Sequence, residues 1–234
     1  MNKFILAFIM LFIMISASLA DSNVYITQSG ANLDLDITMD GNNNAVGLAN
    51  DRTLLTGNNL DVDIDLLGAS NVVTGDFIGA GESGADDLKI NQTGSTNTTA
   101  LNVGSSAATD DVSIIENRTG SSGVTSYSVG SAASVQDVSI TVDVVGDDID
   151  IAISEQSTNS GSDKTTDIDI ATDSDDVDII ITHTGAGAHK TKLLCTGSCA
   201  GSDFTMSQTG ANSTDVDLIV TNATSSDVDI TITE

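Results

Sequence analysis

Apolar and polar side chains alternate in short runs along most of the chain. Val24, Ile26 and Gln28 form one such set, as do Leu88, Ile90 and Gln92, then Ile140, Val142 and Val144. Ile179, Ile181 and His183, and finally Phe204, Met206 and Gln208, repeat it. The residues between them are mostly Asp, Ser, Thr, Asn or Lys. Period-two alternation puts successive side chains on opposite faces of an extended strand, so each run predicts a β-strand with one buried face. Each run stops at a glycine: Gly30, Gly94, Gly146, Gly185 and Gly210. A second set of runs follows the glycines, with Leu33, Leu35 and Ile37 after Gly30 and Ile149, Ile151 and Ile153 after Gly146. The unit is strand, glycine turn, strand, polar turn.

The turns keep time. Gly68, Gly94, Gly120 and Gly146 are spaced 26 residues apart. A fixed period of this size marks a repeat architecture, in which a unit buries its apolar face by stacking on the next. The expected fold is all-β: one β-solenoid domain over residues 21–234, of about eight two-strand coils with amyloid-like stacking. At about 4.8 Å per layer the body would be near 40 Å long. A run of hairpins fits the same periodicity. Glycine accepts positive φ and asparagine tolerates it, so Gly30, Gly68, Asn71, Gly94, Asn97, Gly120, Gly146, Gly185 and Gly210 are expected turn residues. Gln28, Gln92, His183 and Gln208 are expected to form an inward ladder. Glu116 and Arg118 break the pattern before Gly120, and a bulge that turns Ile115 inward is the expected remedy.

Composition changes the picture at the start of the chain. Met1-Asn2-Lys3, the apolar run from Phe4 to Ile15 and Ser18-Leu19-Ala20 form a secretory signal peptide over residues 1–20. Its apolar core is short for a membrane span, and no later segment is apolar enough for one. The mature chain is thus expected to be exported, either soluble or attached to the cell surface. Its aromatics are Tyr25, Phe77, Tyr127 and Phe204, and the chain has no Pro or Trp. Val, Ile, Leu and Ala must therefore fill a narrow core. Disorder is the rival explanation for so polar a chain, but regular β-branched alternation argues against it. Asp and Glu number 34 against seven Lys and Arg, a net charge of −27. Such a surface repels nucleic acid and anionic membranes and attracts cations or basic partners.

Several units carry parts of the pattern Ser-x5-Gln-x-Gly-x-x-Asn. Ser22…Gln28-x-Gly30 and Ser202…Gln208-x-Gly210 match its first half, and Gln92-x-Gly94-x-x-Asn97 its second. Gly41-x-x-Asn44 and Gly68-x-x-Asn71 match the corner alone. The pattern resembles the curlin repeat of bacterial functional amyloids. That resemblance implies a secreted subunit that self-associates end to end into extracellular cell-surface fibres of biofilm matrix and adhesion. It also implies an outer-membrane secretion pore and a nucleator as partners. Val144 and His183 stand where the family has Gln, and no secretion segment separates residue 20 from the first repeat. A divergent or minor subunit fits those departures. The end segments Asn23–Ile26 and Asp227–Glu234 both read as strands without a distinctive cap, and open strand edges template further pairing.

Candidate chemistry is sparse. Asp-x-Asp pairs, including Asp61, Asp63 and Asp65 and the pair Asp176 and Asp178, would form outward acid rows. Calcium is the cation such rows would attract, although no EF-hand or Gly-Gly-x-Gly-x-Asp loop is present. A solvated acidic face is the plain alternative. Cys195 and Cys199 are the only cysteines, and a disulfide across their turn is the leading reading for an exported protein. A metal site with His183 and His189 is the alternative, but the spacing matches no strong zinc pattern. No Gly-x-Ser-x-Gly elbow, phosphate loop or other nucleophile–base pair supports an enzyme. A monomeric acidic solenoid acting as an adhesin or calcium-dependent binding protein is the second functional reading. Ice binding would need regular Thr-x-Thr rows, whereas Thr231 and Thr233 read as an isolated pair.

Overall fold

A computed structural model describes residues 13–16, 22–48, 50, 52–57, 59–79, 86–104, 111–130, 137–156, 163–172, 176–197, 199–210, 213–221 and 224–233. The strands alternate between two parallel sheets. Sheet 1 contains β1 (Ile13–Ser16), β4 (Leu33–Asp40), β7 (Leu60–Leu67), β9 (Asp86–Thr93) and β11 (Val112–Gly120). It continues through β13 (Val138–Gly146), β15 (Lys164–Thr172), β17 (Ala188–Gly197) and β19 (Ser213–Val220). Sheet 2 begins with β2 (Ser22–Val24), β5 (Asn43–Val46), β8 (Ser70–Gly79) and β10 (Thr96–Val103). It continues through β12 (Ser122–Val129), β14 (Ile149–Gln156), β16 (Val177–Thr184), β18 (Asp203–Thr209) and β20 (Asp227–Thr233). The short strands β3 (Thr27–Ser29) and β6 (Thr53–Gly57) extend the first coils of sheet 2.

Each strand pairs with the equivalent strand of the next coil, so the chain is a β-solenoid of about seven turns. Hairpins would give antiparallel neighbours; every pair here is parallel, which requires the chain to cross over between layers. The alternating pattern is realised directly. In β7, Leu60, Val62, Ile64 and Leu66 are buried, while Asp61 and Asp65 face solvent. Inner faces of both sheets meet in one thin core of Val, Ile and Leu, with Tyr127 as its largest fully buried side chain.

The marker glycines divide between two corners. Gly41, Gly68, Gly94, Gly120 and Gly146 stand where sheet 1 passes to sheet 2. Gly30, Gly57, Gly185 and Gly210 stand on the return. The return connections β8–β9, β10–β11, β12–β13 and β14–β15 are longer, which is why the glycine rhythm changes corner along the chain. Positive φ explains the return glycines, at +111° for Gly185 and +78° for Gly210. It does not explain Gly68, Gly94, Gly120 and Gly146, which lie outside that region. Those are glycine because the backbones touch: a Cβ on Gly94 would sit 1.9 Å from the Gly68 carbonyl oxygen, and one on Gly120 would sit 1.9 Å from that of Gly94.

Two sequence expectations need correction. Asn71 and Asn97 are not positive-φ turn residues; they lie in β8 and β10 with their side chains buried. No bulge interrupts β11, which keeps register with β9 and β13 from Val112 through Thr119. Ile115 stays outward and Glu116 and Arg118 are buried, because polar partners await them inside. Separately, Ile13–Ser16, within the segment expected to be a leader, pairs with Ile37–Asp40 as a strand of sheet 1. The remainder of residues 1–20 lies outside the described residues.

Gly94→Ala is expected to destabilise the fold by more than about 3 kcal/mol, because backbone must move against backbone. Gly210→Ala, whose nearest non-neighbour atom would be 3.5 Å away, should cost only the left-handed strain of about 1–2 kcal/mol. Urea unfolding of the two variants checks the contrast, and equal losses would contradict the contact explanation.

Candidate functional site

The polar residues inside the solenoid fall into ladders and clusters. Asn44, Asn71 and Asn97 stack in register in sheet 2. Asn44 Nδ2 donates to Asn71 Oδ1 at 3.1 Å, and Asn71 Nδ2 to Asn97 Oδ1 at 2.9 Å. Each Nδ2 also donates to a backbone carbonyl of the next coil: Leu67, Thr93 and Thr119 respectively. The amides thus tie each corner to its neighbour. The column ends at Gly123, which pairs with Asn97, because Arg118 needs the space. A Cβ at Gly123 would lie 2.5 Å from the Arg118 Nε.

Arg118 belongs to a cluster around Glu116. Thr99 Oγ1 and Thr125 Oγ1 each donate to the Glu116 carboxylate at 2.8 Å, and the Tyr127 hydroxyl donates at 2.7 Å. Arg118 Nη1 donates to Thr125 Oγ1 at 2.8 Å. Burial lowers the Arg118 pKa, and burial beside Glu116 raises that of Tyr127. Buried charge is tolerated only when its hydrogen-bonding capacity is met; three donors from sheet 2 meet that of Glu116, while Arg118 Nη2 has no hydrogen-bond partner among the described residues.

A second cluster lies towards the C-terminal coils. Glu155, His183 and Gln208 stack in sheet 2, and Thr166 and Thr191 stack in sheet 1. Lys164 and His189, which pair in sheet 1, adjoin them, with the His183 and His189 rings 5.5 Å apart edge to face. Burial, with Lys164 and His183 beside it, pushes the His189 imidazole down to about 4. Burial also lowers the Lys164 pKa.

The expected inward ladder is therefore not one row. Gln92 is on sheet 1, between Leu66 and Arg118. His183 and Gln208 are neighbours on sheet 2. Gln28, in β3, is only half-buried and pairs with Leu55. Counting back from glycines that mark two different corners merged these positions.

Acid rows do stack on the outer faces. Asp34, Asp61 and Asp87 are in register on sheet 1, and Asp150, Asp178, Asp203 and Asp227 on sheet 2. The calcium candidates are not gathered into one place. Asp63 lies 3.7 Å from the Lys89 ammonium, Asp65 accepts from Asn91, and Asp176 and Asp178 belong to the other sheet. Among the described residues no group of Asp, Glu, His and Cys is arranged to hold a metal. Cys195 and Cys199 are joined by a disulfide, with Cys195 on the inner face of β17 and Cys199 in the following corner.

Two features escaped the sequence reading. Thr231 and Thr233 are not isolated: Ser207 and Thr209, then Thr182 and Thr184, stack beneath them on the outer face of sheet 2. Register alone reveals this, since the hydroxyls come from separate coils. The other feature is the C-terminal end. Val228, Ile230 and Ile232 occupy the inner column of β20 yet remain 45–49 % exposed, and β19 and β20 are outermost in their sheets. No protein-family model, curated protein or solved structure matches the chain.

Two opposed pH effects follow from these sites. His189 titrates near 6.5 when unfolded and near 4 in the fold. Its contribution is intact above pH 6.5 and is lost as pH falls from 6.5 towards 4, because the unfolded chain takes up the proton first. Burial and neighbouring acids raise the pKa values of Asp61, Asp143 and Asp178, so these groups favour the fold as pH drops through the Asp range. His189→Leu removes only the first effect. The variant should match the parent at pH 7.5 and exceed it by up to about 3 kcal/mol at pH 4, at about 1.4 kcal/mol per pH unit. Parallel stability profiles would contradict the assignment.

Proposed function

We propose that this chain is a secreted, divergent curlin-like subunit that stacks end to end into extracellular fibres. The observation that carries the reading is the uncovered end at β20. A strand with Val228, Ile230 and Ile232 turned inward, and with nothing on its free edge among the described residues, is built to receive another layer. The chain also carries a strand of the right pattern at its other end. Phe204, Met206 and Gln208 stack under Val228, Ile230 and Ile232 in β18 and β20, and Ser202 and Ser226 immediately precede those strands. Ser22, Val24, Ile26 and Gln28 repeat that pattern. A second copy seated with Ser22 over Ser226 would cover Val228 with Val24 and Ile230 with Ile26. Covering each half-exposed side chain contributes about 1 kcal/mol. Export by a leader over residues 1–20, the outer-membrane pore and the nucleator belong to the same proposal.

Purified protein should form filaments with a strong reflection near 4.8 Å. Ile230→Asp should cost the monomer only about 1–2 kcal/mol, because the side chain is half-exposed, yet abolish filament growth. A monomer that persists at high concentration with or without seeds would defeat the fibre reading.

The hydroxyl columns favour a second reading, in which the flat outer face of sheet 2 makes the chain a monomeric adhesin whose acid rows bind calcium. That reading expects millimolar calcium to raise the melting temperature markedly without filaments. Filaments, or an unchanged melting temperature, would decide against it.

A further inference from the structure

The cluster between Glu155 and Gln208 contains an arrangement that stacking does not use. Glu155, Thr166, His183, Thr191 and Gln208 are each 1 % exposed or less. Thr166 Oγ1 donates to Glu155 Oε1 at 2.7 Å. The Nε2 of His183 lies 3.5 Å from that carboxylate oxygen and 3.1 Å from Thr166 Oγ1. Both are acceptors for an Nε2 proton, which leaves the lone pair on Nδ1. Nδ1 lies 3.5 Å from Gln208 Nε2, and that same carboxamide nitrogen donates to Thr191 Oγ1 at 3.0 Å. A carboxylate and an imidazole thus adjoin the carboxamide nitrogen of Gln208, and that nitrogen touches the Thr191 hydroxyl, so a base, a leaving group and a nucleophile for acyl transfer sit together.

The geometry points to an internal ester between Thr191 and Gln208, made by the chain itself across the lumen from sheet 1 to sheet 2. The Thr191 Oγ attacks Gln208 Cδ and the Cδ–Nε2 bond breaks. The hydroxyl proton passes to the departing Nε2, 3.0 Å away, which leaves as ammonia, and His183 Nδ1, 3.5 Å from the same nitrogen, is the base that relays its protons. Glu155 orients the ring and balances the transient imidazolium. The step consumes no water, oxidant or second reactant. Gln208 Oε1 has no hydrogen-bond partner in the core, so conversion forfeits few existing bonds. Exclusion of water protects the product from hydrolysis. The bond would lie on β17 close to Cys195, whose disulfide closes the next corner. The coil beneath the open end would then be stapled twice, once independently of redox conditions. This inference does not depend on fibre formation.

Mass spectrometry of the folded, purified chain decides it. The parent should be lighter by one ammonia than its sequence with the disulfide, and proteolysis should yield one linked peptide pair containing Thr191 and Gln208. Thr191→Val, which keeps the side-chain shape, should have full mass. His183→Asn should form the bond roughly a hundredfold more slowly, the scale of a lost general base. If a variant does not fold, the linked pair in the parent still decides. Full mass in the folded parent overturns the proposal, as does ammonia loss that maps elsewhere or survives Thr191→Val.

Discussion

Everything in this molecule depends on the parallel backbone ladder that pairs each coil with the next at a repeat of 26 residues for most of its length. Parallel pairing in register places each side chain directly over its equivalent, about 4.8 Å away. Like therefore meets like. Where the equivalent position is aliphatic, the column becomes core. Where it is asparagine, the amides chain together, as at Asn44, Asn71 and Asn97. Where it is glycine, the backbones close to contact. Where it is aspartate, charges repel and must be hydrated or met by a donor, as where Asn91 donates to Asp65 and Asn117 in turn donates to Asn91.

The interior polar clusters are the exceptions to like-on-like stacking. Glu116 stands between Ile90 and Val142, and Arg118 between Gln92 and Val144. Such a break is tolerated only because donors from the facing sheet converge on it, with Thr99, Thr125 and Tyr127 supplying three. A slip by one coil would bury the same carboxylate without them. An aliphatic column is indifferent to such a slip, so these clusters give a repetitive chain a single alignment.

The strands and their buried faces were legible because a half-buried strand writes its period into the sequence. Val62, Ile64, Ile140 and Ile151 all lie inward as the alternation requires. The stacking of acids was legible for the same reason. What was hidden depends on which residues share a column. Gln92 and Gln208 precede similar glycines but stand on different sheets, because insertions in the return connections move the marker from one corner to the other. Glu116 and Arg118 looked like faults in a strand, since their partners lie in other coils. The threonine columns were hidden likewise. Local pattern reports the face of a residue; only the register reports its neighbours.

In the proposed fibre β20 is an unfinished layer, completed by another copy. Amide hydrogen exchange across residues 227–233 tests it most directly, measured in dispersed monomer and in assembled material. Fast exchange along β20 in the monomer is expected to give way to protection equal to that of β18 after assembly. Exchange that stays fast in the assembled protein would show that subunits meet elsewhere, and the stacked-coil account would fail.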